Sequence, residues 1–144
     1  MPDFRKLRVF VLAEELSEAV HRLLPAIPAH RAPGLRAQLS RAVSSIPANI
    51  AEGAGRDSVR QYMRGLSIAR GSSHETAVHL RLASSISNGQ AVELRRCVQR
   101  AHVVSAMLSN LIAKIEKDGA IAENQRREKR QWERRRERQQ RYER

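Results

Sequence analysis

The chain has 144 residues and a mass of 16.3 kDa, and its 27 lysines and arginines against 15 acidic residues give a formal net charge of +12. This length suits a single domain that can bury a core, and the absence of any apolar run of about 18 residues excludes a transmembrane helix. The one cysteine, Cys97, cannot form an internal disulfide or a cysteine-based zinc site.

The first predicted element is an amphipathic helix over residues 5–24, which Pro25 and Pro28 end. Apolar residues recur on it at steps of three or four, the period of one helix face. This stripe contains Val9, Leu12, Ala13, Leu16, Val20 and Leu23. Glu14 and Glu15 interrupt the apolar residues, so we expect no signal peptide and a cytoplasmic protein without a membrane partner.

Three further helices follow the loop that ends at Gly34. We expect the second to run from near Pro33 to the glycines at 53 and 55, and the third to run from an N-cap at Asp57 or Ser58 to Asn88. The fourth covers residues 90–116 and is closed by Gly119. The stripe of the second helix contains Leu35, Leu39, Ala42, Val43, Ile46 and Ile50. The stripe of the third contains Tyr62, Met63, Leu66, Ala69, Ser73, Ala77, Leu80 and Ala83. The stripe of the fourth contains Leu94, Cys97, Val98, Ala101, Val104, Leu108, Leu111 and Ile115.

No segment alternates with a period of two, and the loops are short, so the sequence predicts an all-α, up-down four-helix bundle over residues 1–118. Small residues recur on the stripes of its second and third helices. They are Ala42, Ala48, Ala51, Ala69, Gly71, Ser72, Ser73 and Ala77. Small side chains let helices approach closely but leave less apolar area on each helix, which favours further burial between subunits.

A basic tail follows over residues 119–144. Its last 22 residues, 123–144, carry a net charge of +5 and no aliphatic side chain, so they cannot bury an apolar face. Their composition favours helix, and the pairs Glu133–Arg136 and Glu137–Arg141 have helical spacing. We expect an arm that is disordered or nascently helical and that contacts a polyanion; a solvated helix extension is the alternative.

The segment SIPANIAEGAGR, residues 45–56, predicts a kinked helix followed by a glycine stop. Its proline lacks an N–H and clashes with the carbonyl of Val43, while the side chains of Ser44, Ser45 and Asn49 can satisfy the freed backbone groups. The structural residues are Ser45, Pro47, Asn49, Glu52, Gly53, Gly55 and Arg56. A ligand or partner site is the alternative. We favour the structural interpretation because the kink and the helix end already account for the proline and the glycines.

The histidines and serines show no metal or catalytic pattern. Glu75 and His79 are one turn apart and His102 lies on the next helix, but a third ligand at the usual spacing is missing. Ser73 precedes His74, yet adjacent helical residues do not face each other, and no nucleophile elbow is present. We therefore expect no enzyme activity, no metal and no cofactor.

Arginines are the strongest candidates for function, because guanidinium binds phosphate in bidentate fashion and keeps its charge. We expect no exposed aromatic residues, which argues against base stacking and favours phosphate-driven binding of weak sequence specificity. Solvated arginines with some intersubunit salt bridges are the alternative. The candidate nucleic-acid-binding residues are Arg60, Arg64, Arg95, Arg96, Arg100, Arg126, Arg127, Lys129, Arg130, Arg134, Arg135 and Arg136. Two pairs, Arg60 with Arg64 and Arg96 with Arg100, have a spacing of four and each form one ridge.

The segment 45–56, followed by Tyr62, Arg64, Leu66 and Glu75, resembles the four-helix bundle family of 23S rRNA intervening-sequence proteins. The opening FRKLRVFVLAEELSEAVHRL and the segment GLRAQLSRA at 34–42 are similar to that family's first helix and second-helix entry, so the resemblance covers residues 1–116. It implies homopentameric barrels of four-helix protomers. Distant relatives are the accessory variability determinants of diversity-generating retroelements, basic pentamers that bind nucleic acid and partner a reverse transcriptase.

The basic tail and the arginines of the fourth helix depart from the usual family pattern and favour the accessory role. The sequence therefore predicts a non-enzymatic homo-oligomer that binds structured RNA or an RNA–DNA hybrid, with a reverse transcriptase as the implied partner. The alternative is an rRNA intervening-sequence-encoded bundle that acts as a structural or protein-interaction adaptor.

Overall fold

The computed structural model describes the backbone of residues 3–142 and the side chains of residues 3–140. It contains α1 (Arg8–Leu23), α2 (Leu35–Ala54), α3 (Val59–Ile86) and α4 (Ala91–Tyr142), and the described residues include no strand. The predicted all-α four-helix bundle is confirmed. Short 3-10 turns, Phe4–Lys6 and Leu24–Ala26, flank α1.

The chain divides into two compact units between Ile112 and Ala113, whereas the sequence placed the boundary at residue 118. The first unit contains α1, α2, α3 and the opening of α4, and the second contains the remainder of α4. Along residues 3–142, no helix combines the length and the apolarity that crossing a bilayer requires.

Local residues determine where the helices begin. Gly34 has a φ of +83°, in the left-handed region that favours glycine, and α2 begins directly after it at Leu35, near Pro33 as predicted. Ser58 is the N-cap of α3, and its Oγ accepts a hydrogen bond from the backbone N–H of Gln61 at 3.2 Å. Of the two N-cap candidates, Ser58 is thus the one used.

The glycines predicted to end α2 and α4 have different outcomes. As predicted, α2 ends between Gly53 and Gly55, at Ala54, and Gly55 is its C-cap. Gly119 lies within α4, so the end predicted there is wrong. A helix-interior glycine costs only about 0.5–1 kcal/mol relative to alanine. The Arg, Glu and Gln residues that follow Gly119 favour helix strongly enough to continue it.

Aliphatic side chains from all four helices form the core of the first unit. The largest fully buried ones are Leu16, Ile27, Leu39, Ile46, Ile50, Leu66, Leu80, Leu94 and Leu108. On α4 the buried stripe continues to Ile112, whereas Leu111 and Ile115 are half-buried. Ala48 and Gly71, which the periodicity placed on stripes, are exposed.

The helices α2 and α3 approach each other backbone to backbone at Gly53 and Gly65. A Cβ atom on Gly65 would lie 2.7 Å from the carbonyl oxygen of Asn49 and 2.7 Å from the Cα of Gly53. A Cβ atom on Gly53 would lie 3.0 Å from the carbonyl oxygen of Tyr62. The first distances are too short for any side chain, so the crossing requires the glycine at 65.

A polar network beside Pro47 connects the same two helices. The Asn49 side-chain amide donates to both the carbonyl and the Oγ of Ser45 at 2.8 Å, and Ser72 Oγ donates to Ser45 Oγ at 3.0 Å. Pro47 has no N–H to donate to the carbonyl of Val43, four residues earlier. The Asn49 side chain does not replace that donor, because it bonds to Ser45 instead. The segment 45–56 therefore contributes both the glycine and the polar contacts of the α2–α3 packing.

We expect Gly65→Ala to lower the free energy of unfolding by about 1–3 kcal/mol, because its methyl group would push two backbones apart. Chemical denaturation followed by far-ultraviolet circular dichroism measures this change. Gly71→Ala is the matched control: it lies on the same helix, and nothing is within 4 Å of its added Cβ. The control should gain about 0.5–1 kcal/mol in stability. Equal changes in the two variants would contradict the close approach.

Candidate nucleic-acid interface

Some arginines of the bundle are used by the fold itself. Arg36 donates from Nε to the carbonyl of Ile27 and from Nη2 to the carbonyl of Pro25 at 3.2 Å, which holds the loop after α1. Arg70 Nη1 donates to Ser109 Oγ at 3.3 Å and joins α3 to α4. These two guanidiniums have structural partners and are not free for a ligand.

The predicted ridge of Arg96 and Arg100 on α4 carries carboxylate partners. Arg96 pairs with Glu93 at 2.7 Å, one turn earlier on the same helix. Arg100 lies 4.0 Å from Glu15, so it also connects α4 to α1. Both arginines are exposed enough to reach solvent, but each must share its charge with a carboxylate. The ridge therefore offers less free positive charge than its spacing indicated.

Arg60 and Arg64 lie one turn apart on exposed positions of α3, and neither forms an ion pair with a described residue. Arg64 faces a groove of about 240 Å³ that Asn49 and Gln61 also line. The groove includes the exposed ion pair between Arg56 and Glu52, whose atoms are 2.7 Å apart. Thus the segment 45–56 presents polar groups to the same groove as Arg64.

A second groove, of about 370 Å³, runs between α3 and α4. It is lined by Arg81, Ser84, Arg95, Val98, Gln99 and His102. Arg81 and Arg95 form no ion pair with any residue whose side chain is described, so no neighbouring carboxylate in that range compensates either charge. Two arginines beside an imidazole, an amide and a hydroxyl provide hydrogen-bond donors for an anion such as phosphate.

The two arginines line the same groove because α3 and α4 form an antiparallel hairpin. Arg81 and Arg95 are seven residues before and seven residues after Asn88, at the turn. Arg95 was among the sequence-predicted residues, whereas Arg81 was not. The signal that could have found the pair is this symmetry about the turn.

His74, His79 and Cys97 do not line either of these two grooves. His79 contacts Glu75 at 3.3 Å, and the His74 ring bonds Ser105 Oγ. Burial raises the pKa of the Cys97 thiol, so it remains protonated at neutral pH, the opposite of a reactive thiolate. Among the side chains of residues 3–140, no three metal-ligating groups converge.

In the tail, the side chains of residues 116–140 are all exposed. Arg127 and Arg130 share Glu123 at 3.3 and 3.4 Å. Other predicted residues of the tail have no ion pair within the described range. They are Arg126, Lys129, Arg134, Arg135 and Arg136.

The expected pair of Glu133 with Arg136 is absent, because the Arg136 guanidinium lies 5.3 Å from the ring centroid of Trp132. The pair of Glu137 with Arg141 lies outside the described side chains. Trp132 itself is 58% exposed, so the expectation of no exposed aromatic residue is wrong. The expectation holds for the bundle, where Phe4, Phe10 and Tyr62 are buried or half-buried, and fails in the tail.

The model of the 23S rRNA-intervening sequence protein family matches residues 5–110. The chain belongs to this family. A comparison with curated proteins finds no match. In this 23S rRNA-intervening sequence protein, the α3–α4 groove lies inside the matched span, whereas the tail arginines lie beyond its end.

We expect the double variant Arg81→Gln/Arg95→Gln to bind RNA about tenfold more weakly, since exposed ion pairs contribute about 0.2–1 kcal/mol each and about 1.4 kcal/mol corresponds to a factor of ten. The double variant Arg56→Gln/Arg96→Gln is the matched control, because it removes the same charge from arginines that already have carboxylate partners. Fluorescence anisotropy with labelled RNA measures both. An equal loss in the two variants would mean that net charge alone, and not the groove, determines affinity.

Proposed function

We propose that this protein is a non-enzymatic, homo-oligomeric accessory protein of the cytoplasm that binds structured RNA or an RNA–DNA hybrid through its phosphates. One observation carries the proposal: the chain has a large positive charge that the fold does not use. Arg81, Arg95, Arg60 and Arg64 on the bundle lack ion pairs within the described residues, and a tail of net charge +5 has nothing to bury.

Unused like charge destabilises a compact protein by self-repulsion, so a polyanionic partner explains its presence better than folding does. Arginine in particular matches phosphate oxygens with two parallel hydrogen bonds. Contacts of this kind position a protein on the backbone and carry little sequence information. Recognition would therefore depend on the shape and charge density of the nucleic acid more than on its sequence.

The resemblance to accessory variability determinants supports a reverse transcriptase as the protein partner. Membership of the 23S rRNA-intervening sequence protein family alone is equally compatible with a bundle encoded inside an rRNA gene that acts as a structural or protein-interaction adaptor. The neighbouring genes distinguish these roles: a reverse transcriptase with a variable and template repeat pair supports the first, and a position inside a 23S rRNA gene supports the second.

Assembly into an oligomer, a pentamer by the family resemblance, is supported by apolar side chains that the isolated chain leaves exposed. On α3, Val78 and Leu82 are 64% and 49% exposed and lie one turn apart. On α4, Val92 and Val103 are 55% and 52% exposed. Neighbouring exposed apolar groups such as Val78 and Leu82 are typical of an interaction site, and helix–helix contact between subunits would bury them.

We expect light scattering to give the full chain a mass of several subunits of 16.3 kDa, near five. Val78→Glu/Leu82→Glu should dissociate this oligomer while its helix content stays unchanged, because both side chains are exposed in the single chain. Val59→Glu, at a 56% exposed position outside that turn, is the control and should keep the mass. A wild-type mass of one subunit would refute the assembly.

A variant without residues 123–144 tests the phosphate-driven binding. The logarithm of affinity should fall with the logarithm of salt concentration at about −0.9 per neutralised phosphate on a duplex. The deletion should flatten this dependence and weaken binding to all sequences, while folding and oligomer mass persist. Titrations of RNA, duplex DNA and hybrid at several salt concentrations measure the slope.

A companion to the deletion is the full-length double variant Arg96→Glu/Arg100→Glu, which changes charge on the bundle instead of the tail. It should also flatten the slope, although less per charge, since both arginines already have carboxylate partners. An unchanged slope and affinity in both variants would refute nucleic-acid binding and leave the adaptor as the function.

A further inference from the structure

Trp132, the only tryptophan of the chain, occupies an unusual place. It lies in the tail part of α4 and is 58% exposed. Residues three and four positions away share its helix face. All four are charged: Glu128, Lys129, Arg135 and Arg136. The indole ring therefore has no apolar neighbour on its own helix surface, and its recorded partner is the Arg136 guanidinium.

Burial and lipid contact explain this position poorly. Residues 123–140 contain no aliphatic side chain, so the tail has no apolar face that could cover the ring or enter a bilayer. Interfacial helices combine their aromatic residues with such a face. An aromatic ring surrounded by arginines instead fits a ligand that is both anionic and flat.

Three cations share the helix face of Trp132. Lys129, Arg135 and Arg136 lie three or four residues from it, so each is about one turn, roughly 4.5–6 Å, along the helix from the ring. None of the three forms an ion pair with a described residue. Cations on both sides of an exposed ring can hold successive phosphates while a base reaches the ring.

We propose that Trp132 is a stacking site for an unpaired nucleobase, with Lys129 and Arg135 on the same helix face holding the flanking phosphates. This inference rests on the proposed nucleic-acid binding and makes its ligand specific: RNA with single-stranded nucleotides, at a loop or an end. Stacking on an aromatic ring requires a free base face, which a duplex does not offer. The Arg136 guanidinium lies over the ring and orients it by a cation–π contact.

Since Trp132 is the only tryptophan, its fluorescence reports on the site directly in the full-length protein. We expect single-stranded oligouridine to quench this fluorescence, and a blunt RNA duplex of equal charge to quench it much less. Anisotropy of end-labelled RNA measures binding itself in the same titrations. The two signals are independent, so stacking and binding are tested separately.

The variant Trp132→Leu should bind the single strand about tenfold more weakly and should bind the duplex as tightly as the wild type does. Leucine keeps an apolar side chain but has no flat aromatic face on which a base can stack. Trp132→Phe should retain most single-strand affinity, since it keeps an aromatic face. Ile121→Ala is the matched control: it truncates another exposed apolar side chain of α4, 47% exposed, and should alter neither affinity.

The outcomes separate the two proposals. If the wild type binds neither RNA, the proposed function fails. If it binds both RNAs while Trp132→Leu binds the single strand normally and oligouridine leaves the fluorescence unchanged, nucleic-acid binding stands and the stacking site is refuted. Quenching by vesicles that contain phosphatidylglycerol, without quenching by oligouridine, would also refute it and assign the ring to a membrane surface.

Discussion

The contact between Gly53 and Gly65 is the constraint on which the packing of the bundle depends. With no side chain at either position, α2 and α3 meet at backbone distance, and this separation determines which neighbouring groups can touch. Ser45 and Ser72 come within hydrogen-bonding distance because the helices are this close. Tyr62, beside the crossing, is 3% exposed, and its hydroxyl has no partner among the described residues. Burial raises the pKa of this phenol and keeps it neutral.

Most of the fold could be predicted because helical periodicity is a local property. Each stripe is visible within one segment, and Ser58 is recognisable as an N-cap from its neighbours alone. The role of Gly65 was missed because a close crossing depends on two segments that lie apart in sequence. Gly119 was misassigned for a different reason: glycine weakens a helix only slightly, so it marks an end reliably only where the chain turns.

The candidate interface was less predictable than the fold, because charge alone does not indicate which arginines are free. Spacing selected Arg96 and Arg100, but Glu93 and Glu15 already neutralise part of their charge. Of these partners, Glu93 was visible in the sequence three residues earlier, whereas Glu15 comes from another helix. Arg81 and Arg95 gained significance only through the hairpin that places them on one groove. Local charge patterns thus locate arginines in the sequence, but the fold decides which of them have carboxylate partners.

The complete exposure of residues 116–140 has a consequence for how this chain can vary. Substitutions at surface positions usually change stability by about 0.5 kcal/mol or less, so the tail can tolerate drift that the bundle cannot. A core residue such as Leu80 is constrained by the volume it must fill, whereas a tail residue has no volume to match. Packing therefore does not constrain the composition of the tail, whereas it does constrain the core of the bundle.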